Sequence, residues 1–246
     1  MNTATVPSDP SATVRIDKRA AELTADGFIA LGGDDFGILA TDPDLRTLHA
    51  EWDELPLDEA MPAGATFRHR RFGRLGVEID GRGASLSPLQ HTTFKQDATI
   101  NPMHMGRERH FAPLSQQTLR LPVLHALIAT DAGIAAAAAG IRSWIVNLHF
   151  VRIIARGDEA GLPTPEGRHR DGHLYVAMHL LGRSGCTGGE SRVYRGDEQV
   201  AKLTMTDVLD SLMVDDNRVS HEVTPIVPDG GRGVRDMLLV DLNAAA

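Results

Sequence analysis

The sequence predicts an α+β chain in which helices come first and a run of strands then closes into a sandwich or small barrel. Two observations carry this. Apolar residues recur at helical spacing in the first half, and from Ser143 onward short β-branched or alternating stretches are separated by turn residues. A third, the absence of an internal repeat, argues against a solenoid, and 246 residues suit one domain with a substantial core.

Residues 1–12, rich in Thr, Ser, Pro and Ala without an apolar period, read as a flexible tail, leaving 13–246 as a single domain. Ile16, Ala20, Leu23 and Phe28 then follow helical spacing, and Gly27 marks the stop before a strand over Phe28-Ile29-Ala30-Leu31. Asp42 is an N-cap for a second helix carrying Leu45, Leu48 and Trp52 and ending before Pro56. From Thr66 to Thr99 the pattern is β-like, including Gln90 to Gln96, with glycines as breaks. Pro122 to Ala139 is the strongest helix, because it is alanine-rich, opens on Pro and closes on Gly140. Strands are expected at Ser143–Ala155, His173–Leu181, Ser191–Tyr194, Gln199–Met205, His221–Ile226 and Met237–Leu242.

Bulk properties exclude several classes. A formal charge of -8, without a basic block, opposes a nucleic-acid partner. Cys186 is the sole cysteine, so neither an internal disulfide nor a cysteine-based zinc site is available, and a cytoplasmic setting is expected. The N-terminal residues lack a basic-then-apolar signal pattern, and the run from Ile134 to Gly140 is too short to span a bilayer, so no membrane association is expected.

The segment that carries chemistry is Pro165-Glu166-Gly167-Arg168-His169-Arg170-Asp171-Gly172, followed by Val219-Ser220-His221. On extended backbone, His169 and Asp171 point to one side and can reach one metal. His221 from another strand completes two imidazoles and one carboxylate on one face of an ion, the set of non-haem iron(II) oxygenases, with positions left open for cosubstrate and dioxygen. With 11 His and 33 acidic residues in the chain, about 1.5 His-x-acid triplets arise by chance, and His49-Ala50-Glu51 is another. That one falls in an expected helix, where positions i and i+2 diverge by about 200°, so it cannot chelate in the same way.

Pro163-Thr164-Pro165-Glu166-Gly167, His169-Arg170-Asp171-Gly172, Gly188-Gly189-Glu190-Ser191, His221-Glu222-Val223-Thr224-Pro225-Ile226 and Arg235-Asp236 stand in one order. Together they resemble the bacterial 2-oxoglutarate/iron dioxygenase family that includes L-isoleucine 4-hydroxylase and related free amino-acid hydroxylases. The resemblance covers roughly Trp144 to Leu242 and, more loosely, Gln96 to Pro113. It implies a double-stranded β-helix (jelly-roll, cupin-like) core flanked by N-terminal helices, with Fe(II) on His169, Asp171 and His221. It also implies 2-oxoglutarate as cosubstrate, dioxygen, ascorbate as an in vitro reductant, and hydroxylation of an unactivated C–H of a small molecule such as a free L-amino acid.

In that family a basic residue after the distal His holds the far carboxylate of 2-oxoglutarate, which here means Arg235 or Arg232. Arg235 is preferred because it opens the apolar strand Met237-Leu238-Leu239-Val240, whereas Arg232 lies among glycines. His149 and Arg152 are candidates to point into the pocket from the preceding strand. His173 and Tyr175 share the face of Asp171 if their strand is regular, and either line the pocket or support the ligands. An amino-acid carboxylate would need Arg107, Arg109, Arg152 or Arg168, and its ammonium Glu166 or Glu190. Two other readings stay open on sequence: a cupin-like metalloenzyme that needs no 2-oxoglutarate, and a non-enzymatic binding sandwich with structural histidines.

Overall fold

The computed structural model describes residues 3–7, 9–61, 64–97, 100 and 106–245. Four helices are labelled in chain order: α1 (Pro10–Asp26), α2 (Gly33–Phe36), α3 (Pro43–His49) and α4 (Pro122–Ala139). Asp9 caps α1 by accepting from the Ser11 backbone N–H at 3.2 Å, Pro10 occupies the first turn, and Gly27 at φ 77° ends it. Residues 1–12 were expected to be a loose tail, but Ala4–Pro7 pair as an edge strand and α1 starts at Pro10, six residues before Ile16, where its apolar period begins. The pairing partner and the cap supply the order that composition could not show.

The strands are β1 (Ala4–Pro7), β2 (Phe28–Leu31), β3 (Arg68–Asp80), β4 (Gly83–Pro88), β5 (Ala112–Pro113), β6 (Ser143–Arg156) and β7 (Tyr175–Ser184). They continue with β8 (Cys186–Gly188), β9 (Glu190–Arg195), β10 (Glu198–Thr204), β11 (Ser211–Asp215), β12 (Ser220–Val223), β13 (Ile226–Pro228) and β14 (Arg232–Ala244). The large sheet runs β1-β4-β3-β6-β14-β7-β11-β2, with β5 beside β3. The smaller sheets are β10-β9-β12 and β13-β8. Strands from both halves of the chain therefore interleave in one layer, and this mostly antiparallel architecture is the expected jelly-roll. Gln90 to Gln96 does not form a strand; its one bridge joins Phe94 to Arg109. The expected strand His221–Ile226 is two, β12 and β13, because Thr224-Pro225 intervenes and Pro has no N–H to donate.

Alternation along the long strands gives the large sheet two different faces. On the outer face Leu148 and Phe150 of β6 and Leu238, Val240 and Leu242 of β14 pack in one core with Leu23 of α1 and Leu124, Leu127 and Ile128 of α4. Helix α1 crosses α4 closely: a Cβ on Gly133 would lie 2.9 Å from Ile16 Cδ1. By length and composition α4 is apolar enough to cross a membrane, yet 61% of it is buried within the protein, as a core helix is. His179, on the outer face of β7, ties this layer together, its Nε2 2.9 Å from Asp131 of α4 and its Nδ1 2.8 Å from Ser211 of β11. On the inner face Val176, Met178 and Met237 pack with Val193 of the small sheet, and Val151 and Ile153 pack with Ile226. Between these layers lies the cavity that holds the candidate site.

Candidate metal centre and active site

His169 precedes β7 and forms a lone antiparallel bridge with His221 of β12, which brings the two imidazoles within 4.5 Å, ring centre to ring centre. Asp171 lies between them: its Oδ1 is 3.6 Å from His169 Nε2 and its Oδ2 is 3.5 Å from His221 Nε2. All three donor atoms lie within 4.8 Å of one another. These separations are too long for hydrogen bonds, and donors each about 2 Å from a shared ion stand roughly 3 Å apart. His169 Nδ1–H donates to the Gly167 carbonyl at 2.9 Å, which turns Nε2 toward the centre. Asp216 accepts from the backbone N–H groups of Asp171, Gly172 and His173 at 2.6 to 3.2 Å, fixing the loop that carries the carboxylate.

The charges at the centre call for a cation. Burial works against a charged His169, but Asp171 beside it outweighs that and raises its pKa to about 9. Burial and the neighbouring His169 push His221 down to about 4. Burial disfavours the Asp171 anion, yet His169 and His221 hold its carboxyl well below the ordinary carboxylate range. A carboxylate drawing a proton onto one of two facing imidazoles is the state a divalent ion would replace, so the donor set fits a metal.

Arg235 enters the same cavity from β14, in register with Ile153 and one step along the inner face from Met237. It is 3% exposed, its Nε is buried without a partner among the described residues, and its Nη2 meets the sulfur of Met205 at 4.0 Å. Burial and Arg183 on the adjacent strand push its pKa down to about 10, so the guanidinium stays charged while paying for its desolvation. Such a cation in a cavity wall fits an anionic ligand.

The sequence matches the family described as 2OG-Fe dioxygenase over residues 49–241, most of the chain. The chain belongs to the 2OG-Fe dioxygenase family. Like the family, this 2OG-Fe dioxygenase uses Fe(II), 2-oxoglutarate and dioxygen, and the two readings without 2-oxoglutarate are set aside. Its fold is similar to the crystal structure of a bsmA homolog from Methylobium petroleophilum PM1, with 30% identity, coverage of 94% of this chain and 93% of that one, and a TM-score of 0.83. IDO from Bacillus thuringiensis shares the fold at 20% identity, covering 94% and 96%, with a TM-score of 0.76. The Fe(II)/(alpha)ketoglutarate-dependent dioxygenase TqaL shares it at 17% identity, covering 96% and 90%, with a TM-score of 0.73. No curated protein sequence compared with the chain matches it significantly.

Several residues expected at the site of this 2OG-Fe dioxygenase do line its cavity: His149, Glu166 and Arg109 join the three candidate ligands and Arg235. His149 is a neutral imidazole held at both nitrogens. Arg70 donates to its Nδ1 at 2.6 Å, and its Nε2–H donates to Asp241 at 3.1 Å. Burial and Arg70 push its pKa down to about 4. His173 is not among the residues lining the cavity; its Nε2 lies 3.0 Å from Asp241, which is.

Other expectations are corrected. Arg152 faces away, paired with Asp236 at 2.7 Å and Asp53 at 3.2 Å, because Val151 and Ile153 on either side take the inner face. His49, from the helical triplet, meets the same Asp236 at 2.8 Å. Tyr175 packs on Trp144 in the outer core, since Gly172 at φ 83° ends the alternation that would have aligned it with Asp171. Arg168 is exposed, lies over Tyr194 and donates to Ser220 Oγ at 2.7 Å. Glu190 pairs with Arg192 at 2.8 Å outside the cavity. Arg107 and Arg232 are exposed.

Sequence reasoning missed Arg68, Arg70, Gln96 and Asp241, all in the cavity wall. The alternation Arg68-x-Arg70-x-Phe72 was a signal for the first two, since it puts two cations and an aromatic ring on one strand face.

Proposed function

We propose that this 2OG-Fe dioxygenase hydroxylates an unactivated C–H of a small molecule, a free L-amino acid or derivative, with iron on His169, Asp171 and His221 and 2-oxoglutarate anchored by Arg235. The observation that carries the reading is one cavity containing both the three-donor cluster and a buried arginine without a carboxylate partner among the described residues. When bound, iron would activate dioxygen, one oxygen atom going to 2-oxoglutarate as it becomes succinate and carbon dioxide and the other to the substrate C–H.

The chain's own contribution is geometry. The planar fork of Arg235 suits both oxygens of a distal carboxylate, and its place on β14 sets the direction from which the cosubstrate approaches the metal. Gln96 holds the metal-binding carboxylate by donating from Nε2 to the Asp171 carbonyl at 2.9 Å and to Oδ1 at 3.4 Å. Val151, Ile153, Met178, Met237 and Leu239 make an apolar wall that excludes water from the reacting carbon.

The test is an anaerobic titration of iron(II) and 2-oxoglutarate followed by visible absorption, then turnover with a panel of amino acids. The expected result is a weak charge-transfer band needing both additions, and one succinate per hydroxylated product. Product formed at full rate after exhaustive removal of 2-oxoglutarate would overturn the assignment.

A further inference from the structure

Three guanidinium groups crowd one wall of the cavity, and neither the iron ligands nor the 2-oxoglutarate anchor uses any of them. Arg68 and Arg70 project inward from β3 because they alternate with outward-facing neighbours, and Arg109 joins them through the Phe94–Arg109 bridge. Their residual exposures are 6%, 8% and 6%.

A structural role accounts for only part of this charge. Asp58 accepts from Arg68 Nε at 2.7 Å, leaving Arg68 Nη2 buried without a partner among the described residues. Arg70 donates to a neutral imidazole, that of His149, rather than to a carboxylate. Arg109 donates from Nη2 to the Gln96 amide oxygen at 2.5 Å, and its Nε is buried without a partner among the described residues. The faces of two rings flank the pair, with Arg70 4.2 Å above Phe111 and Arg109 4.8 Å above Phe94. Those contacts orient the cations but carry no negative charge. Asp241 is engaged by His149 and His173, and Asp171 by the metal centre. Among the described residues, Asp58 and Glu166 counted against the three guanidiniums leave one positive charge. Burying an uncompensated cation is costly, so a wall built this way is made for an anion.

We infer that Arg70 and Arg109, backed by Arg68, form a dock for a carboxylate head of the substrate, and that the substrate enters as a net anion. This rests on the dioxygenase reading and names the substrate class for the same cavity. The dock stands one side chain from the metal: Arg109 holds Gln96, and Gln96 holds Asp171. A carboxylate on Arg109 and Arg70 therefore directs the carbon chain behind it toward the iron, while Arg235 serves the cosubstrate. Burial, with Arg68 and Arg109 alongside, pushes the Arg70 pKa down to about 9 against the opposing pull of Asp58 and Asp241.

The test uses anaerobic protein loaded with iron(II) and saturating 2-oxoglutarate, which occupies Arg235. Thermal midpoints are followed during titration with acetate or phosphate at constant ionic strength, against chloride. Wild-type protein should be stabilised saturably by acetate, with an apparent affinity at least tenfold weaker in Arg109→Gln and in Arg70→Gln. Arg120→Gln, at an exposed arginine far from the cavity, should respond as wild type does. Having both dock variants keeps the test decisive if one fails to fold. Absence of saturable stabilisation in wild type, or an equal response in the dock variants, would overturn the dock, and a clear preference for phosphate would overturn the carboxylate head. The charge-transfer band, recorded on the same samples, separates the two levels: its loss with the acetate response intact sinks the dioxygenase reading instead.

Discussion

His169 and His221 exchange backbone hydrogen bonds in both directions, each N–H donating to the other's carbonyl at 2.9 Å, so the two imidazoles are placed by the ladder geometry rather than by their side chains. Because that exchange survives loss of either ring, His169→Ala, Asp171→Ala and His221→Ala should each abolish iron-dependent turnover while leaving the fold intact. Far-UV circular dichroism and bound-iron analysis check this. A variant that retains near wild-type activity and iron would remove its residue from the ligand set.

Arg235→Ala should weaken the apparent 2-oxoglutarate affinity by about ten- to a hundredfold, since a charge-assisted contact of this kind contributes about 1.5 to 3 kcal/mol. Lysine at the same position should recover part of the loss, because the charge remains while the fork does not. Arg232→Ala, at an exposed position, should alter it little. Cosubstrate dependence measured side by side decides between the two arginines.

Acid stability should depend on His149. Its pKa is lowered to about 4 in the folded protein, against about 6.5 for an unfolded histidine, so between these values the unfolded chain binds the extra proton. The stability contributed by the neutral ring is thus complete above pH 6.5 and is lost as pH falls toward 4, up to on the order of 3 kcal/mol. In His149→Gln, the fall in denaturation free energy across this window should be shallower. An identical slope would show that other groups set the acid limb.

The Asp131–His179 pair lies wholly in the outer core. Asp131→Ala should cost about 3 kcal/mol of stability, because the buried imidazole loses its partner. Turnover per folded molecule should be unchanged, as the pair is on the opposite face of the large sheet from the cavity. Urea denaturation with active-site titration separates the two effects.

The local rules of the chain were legible in its sequence. Asp42 before Pro43, Pro122 and Gly140 around α4, and the alternation along β6 and β14 all act through neighbours a few residues away, so the elements they mark are present, although α3 stops at His49 and Trp52 falls in a 3₁₀ turn over Ala50–Glu54. The His169-x-Asp171 and His221 set was legible for a related reason: few residue types bind metal, and their spacing restricts which of them can converge. What alternation cannot say is which face of a strand looks into the cavity. Arg152 and Val151 are equivalent in sequence, and only the packing of α1 and α4 against one side of the large sheet sends the arginine outward to Asp236. Gly172 likewise broke the register that would have carried Tyr175 to the three-donor cluster. The meeting of Arg68, Arg70 and Arg109 was decided by tertiary structure as well, because it depends on a bridge between Phe94 and Arg109 and on the pairing of β3 with β6. A strand arginine satisfies the same local preferences in solvent as in a pocket, and only long-range pairing decides which one it meets.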